Sequence, residues 1–73
     1  MLMTKPRDIV KRIQREARRQ GLDFVLERQG ANHTVYDLDG LHIPIARHPD
    51  IANVMAEIIY KECEPKLGKR WWK

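Results

Sequence analysis

His33-Thr34-Val35-Tyr36-Asp37-Leu38-Asp39-Gly40-Leu41-His42-Ile43-Pro44-Ile45-Ala46 is the stretch that decides the fold. Both halves are rich in β-forming residues. Between them stands Asp39-Gly40, a pair that tolerates the positive φ a type I′ turn demands. The stretch therefore reads as a hairpin with a two-residue turn. Such a turn pairs Leu38 with Leu41, Asp37 with His42, Tyr36 with Ile43, Thr34 with Ile45 and His33 with Ala46. Side chains alternate between faces along a strand, so Thr34, Tyr36, Leu38, Leu41, Ile43 and Ile45 share one side. His33, Val35, Asp37, His42, Pro44 and Ala46 share the other. The first side needs an apolar cover, and the second is expected to stay open. Pro44 has no N–H to give a ladder, so the second half should be an edge strand.

Working outward, Leu22, Phe24 and Leu26 alternate with Asp23 and Glu27, although Val25 interrupts the polar side. This is a further strand, joined to the hairpin by the turn Gln29-Gly30-Ala31-Asn32. Before it, Ile9, Val10, Ile13 and Ala17 recur at helical spacing. That helix is expected from Thr4, as cap, to Gln20, with Pro6 in its first turn and Gly21 as its stop. After the hairpin, Pro49 and Asp50 suit the first turn of a second helix. Its apolar stripe is Ile51, Val54, Met55, Ile58, Ile59 and Cys63, and Pro65 and Gly68 end it. The order is α-β-β-β-α. The expected class is α+β, a three-stranded antiparallel sheet with two helices on one face. At 73 residues there is room for one domain, 1–73, with 68–73 a basic tail containing Trp71 and Trp72.

Composition excludes several functions. Cys63 is the only cysteine, so no disulfide can form within the chain. One cysteine and three histidines fit no zinc-ligand spacing, and no carboxylate cluster stands out, so neither metal nor cofactor is expected. The short apolar runs exclude a membrane span, and charge follows Met1-Leu2-Met3 where a signal peptide would have an apolar core. The expected compartment is the cytoplasm. The net charge is +4 and the pI about 9.6. Seven of the fourteen basic residues fall between Lys5 and Arg19, and Arg7, Lys11, Arg15 and Arg18 recur at steps that make one stripe along the first helix. A second cluster, Lys69-Arg70-Trp71-Trp72-Lys73, closes the chain. These footprints suit a polyanion, of which RNA is a common cytoplasmic example.

On the open face, His33 stands at the end of the hairpin nearest Arg47 and His48. Imidazole gives or takes a proton readily near neutrality. Breaking an RNA phosphodiester needs a proton taken from the 2′-hydroxyl and one given to the leaving oxygen. Cations beside the histidine would hold the phosphate and offset developing charge. His42, opposite Asp37, reads instead as half of a cross-strand polar pair. A surface histidine is also compatible with no chemistry at all, and His48 before Pro49 reads equally well as a helix-boundary residue.

Gly30-Ala31-Asn32-His33-Thr34-Val35-Tyr36, then Ile43-Pro44-Ile45-Ala46-Arg47-His48 and an apolar helix, resembles the HicA toxins of bacterial toxin–antitoxin pairs. Pro6-Arg7-Asp8-Ile9-Val10-Lys11 is similar to the start of their first helix. The likeness spans roughly Thr4 to Cys63. It implies a fold like that of the double-stranded-RNA-binding domains. It also implies an mRNA endoribonuclease that blocks translation, with a HicB-type antitoxin protein as partner. The family's catalytic histidine lies three residues before an aromatic, and His33, three before Tyr36, fits. Asn32, Arg47 and His48 around it, with the stripe Arg7, Lys11, Arg15 and Arg18, are the expected RNA contacts. Ala31 stands where the family usually has glycine, and Lys69 to Lys73 lie outside its pattern. Two other functions suit the same residues: a catalytically silent RNA-binding module, and an adaptor whose basic helix docks an acidic protein.

Overall fold

The computed structural model describes residues 2–73. Strand β3 (His33–Leu38) and strand β4 (Leu41–Ala46) pair in the register expected from the two-residue turn, from Leu38 opposite Leu41 to His33 opposite Ala46. Asp39 and Gly40 take φ of 49° and 93°, both positive, as a type I′ turn requires. Strand β2 (Phe24–Gln29) lies on the other side of β3, antiparallel to it. The order β2-β3-β4 leaves Pro44 on an edge strand, where its missing N–H breaks no ladder.

Helix α1 (Pro6–Gln20) buries Ile9, Ile13 and Ala17 completely. Helix α2 (Asn53–Glu62) buries Ala56, Ile59 and Tyr60. Both sets meet Phe24, Leu38, Ile43 and Ile45 in one continuous core. These sheet residues all belong to the face expected to be covered, and Tyr36, half-buried there, stacks on Phe24 at 4.8 Å. Removing an isoleucine or leucine side chain of this core from water is worth about 1.5–3 kcal/mol each. The protein is thus α+β, with helices packed on one face of a three-stranded antiparallel sheet.

Three expectations need correction. The first helix does not start at Thr4. Thr4 belongs to a short strand β1 (Met3–Thr4) that pairs with β5 (Ile51–Ala52), and its hydroxyl donates to Asn53 Oδ1 at 2.5 Å. Lys5 holds the N-cap position with no side-chain cap. Likewise, Pro49 and Asp50 do not open the second helix, which starts at Asn53 because Ile51 and Ala52 are held in that clasp. The helix also presents a different side to the core than the expected stripe. Ala56, Ile59, Tyr60 and Cys63 go inward, while Val54, Met55 and Ile58 of the expected stripe lie exposed. Finally, α2 ends at Glu62, capped by Cys63, rather than running to Pro65, and Pro65 sits in the first turn of a separate short helix α3 (Glu64–Leu67).

The tail folds back onto its own core. Gly68 and Arg70 take φ of 104° and 57°, which bend the chain so that consecutive indoles both flank Tyr60. Trp72 is buried and Trp71 half-buried, with Trp71 Nε1 donating to the Tyr60 carbonyl at 2.8 Å. Arg12 lies 5.4 Å from the Tyr60 ring centroid and donates to the Trp72 carbonyl.

Candidate functional site

The open end of the hairpin is held by backbone. Gly30 N–H donates to His33 O at 2.8 Å, and Arg47 N–H donates to Asn32 O at 3.1 Å. The Arg47 guanidinium adds a bond of 2.8 Å to the Gly30 carbonyl. These bonds bring Asn32, His33 and Arg47 together, with His48 next along the chain, and all four are exposed. The glycine is there for space, since a Cβ on Gly30 would meet His33 O at 3.3 Å, tighter than ordinary van der Waals contact. Ala31, beside it, does not take a positive φ, so the departure from glycine costs no backbone strain. His33 makes no side-chain hydrogen bond or ion pair among the described residues, which leaves both ring nitrogens open to a ligand.

The basic stripe forms a second group. Other cations of the same stretch have local partners: Lys5 pairs with Asp50 at 3.1 Å, Arg19 with Glu16, and Arg12 with the tail. Arg7, Lys11, Arg15 and Arg18 are exposed and form no ion pair among the described residues. Lys11, Arg15 and Arg18 line a shallow depression with Val10 and Gln14. Arg18 lies beside Phe24 and Val25, at the far end of β2 from Gly30. The stripe belongs to the helix on the covered face and His33 to the opposite face, so the two groups do not form one cleft.

The middle of the open face holds a cluster that the sequence reading missed. His42 does stand opposite Asp37 in register, but its Nδ1 lies 2.6 Å from Glu27 Oε1, two strands away. One ligand atom each from Glu27, Asp37 and His42 lie within 4.8 Å of one another. The expectation of no carboxylate cluster is therefore corrected. Alternation along β2 puts Glu27, like Val25, on the same face as Asp37, and the β-bulge, at which the β2–β3 register shifts between Leu26 and Arg28, adds Arg28 opposite Val35 on that face. The alternation of β2 carries part of the signal, since it sets Glu27 on the side away from Phe24 and Leu26, but not the alignment of β2 with β3. Glu27, Arg28, Val35, His42 and Pro44 line a depression there.

Cys63 takes no part in either site. It is fully buried, and burial pushes its thiol up from 9.0 to about 12, helped by nearby Glu62. Such a thiol stays protonated and inert. No described helix is long and apolar enough to cross a membrane. No family model, curated protein or solved structure matches this chain.

Proposed function

We propose that the protein is a cytoplasmic endoribonuclease toxin of the HicA type, which cleaves mRNA, blocks translation and is neutralised by a HicB-type antitoxin. The observation that carries this reading is His33, an exposed histidine with no side-chain partner, set beside Arg47 on the open face of a sheet whose other face is packed. An unpartnered imidazole can serve as general acid or base, a role worth about 10²–10⁴-fold in rate. In this reading Arg47 and Asn32 would hold the scissile phosphate, Arg47 by charge and Asn32 by its amide. His48 adds a further polar contact on the same edge.

In this reading the stripe Arg7, Lys11, Arg15 and Arg18 binds phosphates away from the cut, because a polynucleotide can run from one face of so small a molecule to the other. His42 lies four residues along β4 from Ala46, the partner of His33, about 13 Å at strand rise. That separation keeps His42 off the phosphate that His33 acts on. Growth arrest on expression of the wild-type chain, abolished by His33→Ala at equal protein level, is the expected result. Arrest that persists in the His33→Ala strain would reject the catalytic role.

A further inference from the structure

We propose that Glu27, Asp37 and His42 form a binding site for a divalent transition-metal ion, zinc in the first instance, on the open face of the sheet. The three residues come from β2, β3 and β4, so the hydrogen-bonded ladder presets their spacing before any ion arrives. Their donor atoms are one imidazole nitrogen and two carboxylate oxygens, within 4.8 Å of one another and as close as 2.6 Å. Zinc bonds of about 2.0–2.2 Å at tetrahedral angles put donor atoms roughly 3.3–3.5 Å apart. The present spacing brackets that value, and small side-chain rotations close the gap.

The formal charge of the same three residues points the same way. Two carboxylates face one imidazole, so the cluster carries at least one uncompensated negative charge even when His42 is protonated. Asp37 is half-buried and forms neither an ion pair nor a side-chain hydrogen bond among the described residues. Arg28 lines the same depression but pairs with neither carboxylate. A divalent cation with two carboxylates and a neutral imidazole makes the cluster neutral. Imidazole in the donor set favours zinc, nickel or copper over magnesium or calcium, which prefer all-oxygen sites. His42 and Glu27 are partly exposed, with 68% and 36% of their side-chain surface accessible, so the remaining coordination positions would be open to water.

The site is independent of the nuclease reading, and its test measures binding rather than RNA cleavage. Zinc ions titrated into the intact purified chain, followed by calorimetry and by imidazole NMR signals, should bind one per chain and shift the His42 resonances. His42→Ala should weaken binding by at least about tenfold, and Glu27→Gln and Asp37→Asn by similar factors, since even residues that only support a ligand cost 10–100-fold. Glu27→Gln is nearly isosteric, and circular dichroism checks that all three variants are folded. Acidification should release the ion, because protons compete for His42, Glu27 and Asp37, whereas Arg28 keeps its charge. His33→Ala, His48→Ala and Cys63→Ser should leave binding unchanged. The proposal is overturned if the wild type binds no zinc, or if binding survives His42→Ala and is lost in His33→Ala or His48→Ala.

Discussion

Two histidines share the open face, and their surroundings differ in kind. His33 is placed by main-chain bonds among Gly30, Asn32 and Arg47 and by the Arg47 guanidinium on the Gly30 carbonyl, and its ring is left without a partner among the described residues. His42 is held by side chains, 2.6 Å from Glu27 and within reach of Asp37. A ring positioned by its backbone can approach a substrate without first breaking a bond of its own. A ring already engaged by carboxylates is better suited to a cation. The contrast teaches that exposure alone does not rank surface histidines; what occupies the ring nitrogens does.

The largest expected effect separates the two directly. With purified protein, His33→Ala should slow RNA cleavage by about 10²–10⁴-fold while His42→Ala keeps the wild-type rate. Equal losses in both variants, with both folded, would collapse the distinction. Next comes a change that should touch both regions alike. Trp72→Ala removes a buried ring under the common core and should cost about 3–5 kcal/mol in urea unfolding, towards the lower end because it also removes a buried N–H with no partner among the described residues. Cleavage per folded molecule should not change.

A smaller effect tests whether the His33 end relies on distant cations. Replacing Arg7, Lys11, Arg15 and Arg18 by Gln should flatten the salt dependence of RNA binding. The log–log slope should fall by about 0.7 for each single-strand phosphate that is no longer neutralised. An unaltered slope would leave the stripe to solvent or to a protein partner. Smallest of all, Glu27→Gln should change metal-free stability by less than about 1 kcal/mol in the same urea measurement, since its pairing with His42 is exposed to solvent. A larger loss would mean that the bulge depends on the pair.

The hairpin is legible because everything that sets it lies within the hairpin. Asp39-Gly40 determines the turn, the turn determines the register, and the register assigns His33 and His42 to the open face and Ile43 and Ile45 to the core. Helix α1 is legible for the same reason, through the spacing of Ile9, Ile13 and Ala17, and only its first turn departs from expectation. The stripe and the surroundings of His33 follow from those two elements. Nothing local announces the rest. Ile51 and Ala52 look like the start of a helix until Met3 and Thr4, nearly fifty residues earlier, offer them a ladder.

Turn chemistry and hydrophobic period, both carried by neighbours in the chain, were enough to determine the class of fold, the packed face of the sheet and the exposure of His33. Tertiary structure alone decided the remainder: the clasp of β1 with β5, the rotation of α2 that exposes Val54 and Met55, and the burial of Trp72 against Tyr60. It also decided that Glu27 meets His42, because the register of β2 against β3 is set by the partner strand and the packing between them, not by the alternation of β2 alone. In each case the free energy comes from groups distant in sequence, whose packing leaves no period or spacing in the residues themselves.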